Sequence, residues 1–80
     1  MDKNFPRLLD TLSLVPRRRK ASTAEIHQQL AALGHEVSRR TVQRDLEALA
    51  LEYGFDRDDR DRALGWSWPR KSYGLNRPGF

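Results

Sequence analysis

One stretch decides the fold of this chain: residues 38–54, SRRTVQRDLEALALEYG. Its apolar residues recur at intervals of three and four, which is the pattern of one buried helix face. Ser38 is a favoured N-cap residue, and Gly54 suits the left-handed conformation that ends many helices. The stretch therefore predicts a helix over 39–53. The predicted buried stripe consists of Val42, Leu46, Leu49 and Tyr53.

A first helix is predicted over residues 4–15. Pro6 is tolerated in its first turn, where the missing N–H would have no partner, and Pro16 ends it. Its apolar residues have the i, i+3, i+4, i+7 spacing of one helix face. This face is expected to be Phe5, Leu8, Leu9 and Leu12.

A second helix is predicted over residues 23–33. Ser22 and Glu25 have the spacing of a capping box, in which each residue bonds a backbone N–H of the other. Gly34 suits a left-handed stop, and only three residues then separate it from Ser38. The apolar face of this helix is expected to be Ile26, Leu30 and Leu33.

After Gly54 the apolar period changes from that of a helix to that of a strand. Phe55 begins a short strand, and residues 56–62 are a charged loop without an apolar residue. A second strand follows, and the two strands predict a hairpin with a charged tip. A third, very short strand near residues 20–21 is expected to pair with it. The alternating residues of the second strand are Leu64, Trp66 and Trp68.

The order helix, helix, tight turn, helix, hairpin predicts a mostly α fold with a small β-hairpin. It is the layout of a winged helix-turn-helix, with three helices plus a wing. The domain is expected to occupy residues 1–70. Residues 71–80 contain two glycines and a proline and are expected to be a linker-like tail that leads to a domain absent from this chain.

Composition narrows the class of partner. Eighty residues form one domain, and 15 Lys and Arg against 11 Asp and Glu give a net charge of +4. This balance favours a polyanionic partner, with nucleic acid ahead of an anionic membrane. The chain has no cysteine, which excludes disulfides, thiolate zinc sites and thiol catalysis. No apolar run is long enough for a membrane helix or signal peptide, so we expect a cytoplasmic protein without a membrane partner.

No catalytic or cofactor site is predicted. The sequence has no cluster of acid, base and nucleophile, and neither His27 nor His35 has a second metal ligand at a sensible spacing. We therefore expect no enzyme activity, no cofactor, no metal site and no small-molecule site. Trp66 and Trp68 could stack on unpaired bases, but two aromatic residues on one strand face are more often part of a core.

The start of the third helix is the predicted base-reading surface. Arg40 and Arg44 lie about 160° from the core direction, and Thr41 and Gln43 flank them at about 100°. Arg can bond guanine O6 and N7, and Gln can bond adenine N6 and N7. The alternative is a solvated helix face. Asp45 is expected to pair with Arg39 or with an arginine of another helix.

A second set of residues is predicted to contact the DNA backbone. Four cations precede the second helix, and the first residues of two helices could add phosphate contacts. The wing carries three arginines but four aspartates, so a solvated hairpin tip is the alternative there. A solvated loop is the alternative for the four cations of residues 17–20. The predicted set is Arg17, Arg18, Arg19, Lys20, Ser22, Thr23, Ser38, Arg39, Arg60 and Arg62.

Residues 37–49, VSRRTVQRDLEAL, carry a family resemblance. The string resembles the recognition helix in the N-terminal winged domain of WYL-domain transcriptional regulators, which are related to the DeoR-type helix-turn-helix. The resemblance implies a bacterial regulator that binds double-stranded DNA, commonly a palindromic operator, as a dimer. It also implies a C-terminal ligand-sensing domain, so a homodimer would form through a domain missing from this chain.

Two classes of function follow from these patterns. The leading expectation is sequence-specific binding of double-stranded DNA by the reading domain of a transcriptional repressor, with helix 39–53 in the major groove. The alternative is a winged-helix protein–protein interaction module, which the outward-pointing Leu51 and the acidic wing would suit. Binding of RNA or single strands through Trp66 and Trp68 is a weaker third hypothesis.

Overall fold

The computed structural model describes residues 3–60 and 64–69. Within these residues there are three helices and three short strands, and the predicted class, mostly α with a small hairpin in a winged-helix arrangement, is confirmed. The predicted tail 71–80 lies outside the described residues. The elements are α1 Phe5–Leu14, β1 Ala21–Ser22, α2 Thr23–Ala32, α3 Arg39–Tyr53, β2 Asp56–Asp58 and β3 Gly65–Ser67.

The buried face of α1 differs from the predicted one. Phe5 is 42% and Leu9 48% exposed, so their assignment to the core is wrong. The face is centred instead on Thr11, which is 0% exposed and donates its hydroxyl to the carbonyl oxygen of Arg7 at 2.8 Å. Because this bond satisfies the hydroxyl within the helix, a polar residue can lie in the core.

The end of α2 leads directly into the turn before α3. Gly34 has a φ of 96°, the left-handed conformation that the stop requires. The N–H groups of Gly34 and His35 donate to carbonyl oxygens of the last helical turn at 3.0 and 2.9 Å, which forms a Schellman motif. Leu33 is predicted to lie in the core, but it is 56% exposed, because the helix ends at Ala32 and the chain turns away.

The third helix, α3, begins and ends at the predicted residues. The Ser38 hydroxyl accepts the N–H of Thr41 at 3.1 Å, and Gly54, with a φ of 77°, donates to the carbonyl oxygen of Ala50 at 2.7 Å. Tyr53 is 44% exposed, contrary to the prediction, because it lies in the last turn of α3, where, among the described residues, its only ring contact is an edge-on one with Trp68. The buried residues of α3 are Val42, Leu46 and Leu49.

The three strands form one antiparallel sheet in the order β1–β3–β2. Ala21 of β1 and Arg57 of β2 pair with Trp66 from opposite sides, so the predicted third strand is confirmed. The prediction of a loop from residue 56 is wrong in its first part. Asp56–Asp58 form β2, because pairing with β3 determines the backbone there although the side chains are charged.

The core lies between the three helices and the sheet. Trp66 is the largest fully buried side chain among the described residues, at 0% exposure, so its assignment to the core is confirmed. Trp68 is half-buried and packs against the core. Within the described ranges, no helix is both long and apolar enough to cross a membrane. The buried apolar residues are Val15, Ala21, Ile26, Leu30, Val42, Leu46, Leu49, Phe55 and Trp66.

Candidate nucleic-acid interface

The N-terminal half of α3 carries three exposed arginines: Arg39, Arg40 and Arg44. None of them forms a hydrogen bond or ion pair with another residue in the described part of the chain. Arg40 and Arg44 are one helical turn apart, so their side chains project from the same surface. The first turn of α3 contains no acidic residue that would offset their charge.

The start of α3 forms a ridge between two shallow grooves. The groove toward the start of α2 is lined by Arg39, Arg40 and Gln43, among others. The groove toward α1 is lined by Thr41 and Arg44, among others. The four predicted base-reading residues are therefore divided between the two flanks of the ridge.

Gln43 belongs to a chain of hydrogen bonds between the wing, which is the hairpin β2–β3, and α3. The indole N–H of Trp66 donates to Thr23 Oγ1 at 2.9 Å, and the Thr23 hydroxyl donates to Gln43 Oε1 at 2.6 Å. Gln43 Nε2 donates to Glu47 Oε2 at 3.1 Å. These four side chains are termed the relay: Trp66, Thr23, Gln43 and Glu47.

Two residues predicted to contact DNA, Thr23 and Gln43, have hydrogen-bond partners inside the protein because they belong to the relay. A Gln that reads adenine presents Oε1 and Nε2 to the same base edge, but in Gln43 these atoms bond two different neighbours. Thr23 is 8% exposed, and its hydroxyl both accepts and donates within the protein. The observed geometry therefore favours a structural role for both side chains over the predicted base and phosphate contacts.

Asp45 holds α3 against α1. Arg7 Nε donates to Asp45 Oδ2 at 2.8 Å and Arg7 Nη2 to Oδ1 at 3.4 Å, with the two side chains 14% and 15% exposed. The partner is an arginine of another helix, one of the two predicted options, and not Arg39. Because Arg7 neutralises this carboxylate, Asp45 offsets little of the charge of the neighbouring Arg44.

In the connector, residues 16–20, most of the cations have partners within the protein, unlike the arginines of α3. Arg19 Nη2 donates to Glu25 Oε2 at 2.6 Å. This hydrogen bond, together with the attraction of the two charges, raises the pKa of Arg19. The same bond from Arg19 lowers the pKa of Glu25, and a bond from the Ser22 backbone lowers it further. The Ser22 hydroxyl accepts the Glu25 N–H at 3.0 Å, so the predicted capping box forms.

Asp58 holds two more of the predicted phosphate-binding cations. Its carboxylate accepts from Arg60 Nε and Nη2 at 3.0 and 2.7 Å and from Lys20 Nζ at 2.5 Å. A Cβ on Gly65 would lie 3.1 Å from Lys20 Cβ, so the glycine leaves room for the lysine to cross toward Asp58. The hydrogen bonds from Arg60 first, and then from Lys20, hold the pKa of Asp58 far below its ordinary value of 3.8.

Two further cations lie over aromatic rings. The guanidinium carbon of Arg17 is 5.3 Å from the ring centre of Trp68, and that of Arg57 is 6.0 Å from the ring centre of Trp66. Arg18 is exposed and, within the described ranges, has no side-chain partner. The connector thus combines one free arginine with three engaged cations, and all four line one groove with Arg60 and Trp68.

Of the remaining predicted DNA-contacting residues, two cap helices and one lies outside the described residues. The hydroxyls of Ser22 and Ser38 cap α2 and α3, and the Ser38 hydroxyl donates to Thr41 Oγ1 at 3.1 Å. Arg62 lies outside the described residues. The sequence does not predict the relay, because the bonds from Thr23 to Gln43 and from Trp66 to Thr23 join residues 20 and 43 positions apart and no local spacing marks them.

Within the described residues, no group of three or more His, Cys, Asp or Glu could hold a metal ion. The resemblance of residues 37–49 to WYL-domain regulators remains a prediction. No family model matches the chain, and comparisons with curated proteins and with solved structures also found no match.

Proposed function

We propose that this chain binds double-stranded DNA sequence-specifically, as the reading domain of a bacterial transcriptional repressor. The winged-helix arrangement supplies the frame, in which the start of α3 enters the major groove. One observation carries the proposal. Arg40 and Arg44 project from the start of α3 and have no protein partner within the described part of the chain.

Unpaired arginines suit this function because they can bind without first breaking an internal ion pair. A guanidinium group can donate two parallel hydrogen bonds to guanine O6 and N7. Arg40 and Arg44 are assigned to base contacts on the two flanks of the ridge. Arg39 in the first turn and Arg18 in the connector are assigned to phosphates, which fix the orientation of the domain.

The resemblance of residues 37–49 extends the proposal to the assembled regulator. In this extension the operator is palindromic, and two copies of the domain read its half-sites. The copies would be held together by a domain outside this chain, and the regulator would act in the cytoplasm. A single domain has fewer contacts than such a dimer, so binding by this chain alone is expected to be best measured at low salt.

Selection from a random duplex library tests this proposal directly. The chain is incubated with the library at about 50 mM salt, and the bound duplexes are sequenced and then titrated by fluorescence anisotropy across a salt series. We expect one enriched motif, with affinity for it that falls steeply as salt rises. A library without enrichment, or equal affinity for every duplex, would contradict sequence-specific binding.

A second candidate function uses the other end of α3. Leu51 is 89% exposed in its C-terminal half, away from the arginines, and suits a protein-interaction surface. Protein binding through this surface would resist salt and would be lost in Leu51→Glu. Under this candidate, Arg40→Ala/Arg44→Ala would leave complex formation unchanged.

A further inference from the structure

The relay has one arrangement of protons that satisfies every group. An indole N–H can only donate, so Thr23 Oγ1 accepts from Trp66. A carboxylate can only accept, so Gln43 turns its NH2 group toward Glu47 and its oxygen toward the Thr23 hydroxyl, which donates to it. Gln43 Oε1 accepts the hydrogen bond from the Thr23 hydroxyl at 2.6 Å, and Gln43 Nε2 donates to Glu47 Oε2 at 3.1 Å. Turning the amide over would place its oxygen against the Glu47 carboxylate. The relay therefore fixes both the rotamer and the amide orientation of Gln43.

Arg57 connects β2, the other strand of the wing, to the same residues. It is the cross-strand partner of Trp66. Its guanidinium group lies over the Trp66 ring, and Nη1 is 3.9 Å from Glu47 Oε2. Both strands of the wing are thus tied to α3, one through Thr23 and Gln43 and the other through Glu47.

Burial makes the inner part of the relay sensitive to the loss of one member. Trp66 is 0% and Thr23 8% exposed, so an indole N–H that lost its acceptor would have little access to water. Gln43 and Glu47 are only half-buried and lie one turn apart on α3. The relay therefore runs from the core to the edge of the ridge that carries Arg40 and Arg44.

We propose that the relay fixes the wing against α3, and that Thr23 and Gln43 affect DNA binding as positioning residues and not as base or phosphate contacts. Gln43 lies three residues after Arg40 and directly before Arg44, so a constraint on Gln43 also constrains the ridge. The part of this inference that concerns DNA rests on the proposed function, whereas the part that concerns the wing holds for the free protein.

The first test uses the free, full-length chain. Thr23→Val removes the hydroxyl and keeps the branched shape, and Thr23→Ser is the matched variant that retains it. NMR would follow the Trp66 indole resonance, assigned with Trp68→Phe, and amide exchange across β2 and β3. We expect Thr23→Val to shift the resonance and to accelerate amide exchange about tenfold or more. In Thr23→Ser we expect both the resonance and the exchange rates to stay close to those of the native chain.

A half-buried position provides a second variant for the same test. Gln43→Met removes the acceptor of the Thr23 hydroxyl without placing a change in the core, so it is expected to fold even if Thr23→Val does not. It should shift the same Trp66 resonance. An unchanged indole resonance and unchanged exchange in Gln43→Met and in any folded Thr23→Val would overturn the proposed link between wing and α3.

The second test separates positioning from base contact on a duplex that the native chain binds. We expect Thr23→Val and Gln43→Met each to lower affinity about threefold to tenfold, with unchanged base preference and no further loss when combined. Relaxed preference at one base pair in Gln43→Met, with native affinity in Thr23→Val, would overturn the positioning role. If the native chain binds no duplex, the proposed function fails, and the free-protein NMR still decides the link to the wing.

Discussion

Two basic regions of this molecule differ in what their positive charges face. At the start of α3, within the described part of the chain, Arg39, Arg40 and Arg44 have no partner. In the connector and wing, most cations are held by acids or lie over rings. Arg19 pairs with Glu25, Lys20 and Arg60 pair with Asp58, Arg17 lies over Trp68, and Arg57 lies over Trp66.

This difference shows that a count of cations does not reveal which of them can bind a partner. The connector is the most basic run in the sequence, with four consecutive cations, yet three of the four are engaged within the protein. The less conspicuous arginines of α3 are the available ones. We infer that α3 supplies the contacts and that the connector and wing chiefly supply the scaffold.

The largest expected effect tests the wing as scaffold. Trp66→Ala should lower the free energy of unfolding by about 3–5 kcal/mol, because it removes a fully buried ring and the donor of the relay. Urea denaturation would measure this loss. Trp68→Ala is the matched control and should cost less, since Trp68 is half-buried. Equal losses in the two variants would show that Trp66 has no special structural role.

Arg44→Ala tests the other side of the comparison. It should weaken specific DNA binding by about 1–3 kcal/mol, the range for loss of a base-contacting arginine, and leave stability unchanged because the side chain is exposed and unpaired. Anisotropy and thermal unfolding would measure the two effects. The control is Arg19→Ala, whose binding should change less than about twofold. Native affinity in Arg44→Ala would remove this residue from the interface.

Asp45→Ala tests whether an acidic residue on α3 belongs to the scaffold. It should lower the free energy of unfolding by about 1–3 kcal/mol, because the Arg7 side chain, which is 14% exposed, loses its carboxylate partner and, among the described residues, keeps only the hydrogen bond from Nη1 to Asn4 Oδ1. Chemical denaturation would measure the loss. Arg7→Met/Asp45→Met, which removes both charges, should be less destabilised than the single variant. If Asp45→Ala unfolds like the native chain, the α1–α3 ion pair is not stabilising.

The smallest expected effect concerns pH and the wing. The pKa of Asp58 is lowered in the folded state, so its contribution to stability is present above the ordinary pKa of 3.8 and is lost as pH falls through the lower folded pKa. NMR titration of the carboxyl group should therefore show ionisation persisting below pH 3.8. Titration at the ordinary value would mean that the Lys20 and Arg60 contacts do not persist in solution.

The elements that could be predicted from sequence are those set by local chemistry. Ser38 and Gly54 define the ends of α3, and Gly34 ends α2, because caps depend on a few neighbouring residues. The outward direction of Arg40 and Arg44 follows from the helical period alone.

The contacts that could not be predicted from the sequence join residues that are distant along the chain. The Arg7–Asp45 and Lys20–Asp58 pairs each join residues 38 positions apart. Thr11 lies in the core and Phe5 is exposed. A threonine can be buried at this position because its hydroxyl is satisfied by a hydrogen bond within the helix. Gln43 has the spacing of a base-reading residue, and only its contacts with Thr23 and Glu47 favour another role.

One measurement tests the central claim most directly: DNA binding by two double variants of equal net charge. Arg40→Ala/Arg44→Ala removes two unpaired arginines from α3, and Arg17→Ala/Arg19→Ala removes two engaged ones from the connector. Their anisotropy titrations would use the duplex enriched from the library. We predict about a hundredfold loss for the first variant and less than about threefold for the second. Equal losses would contradict the account, because they would mean that binding depends on net charge and not on which arginines are free.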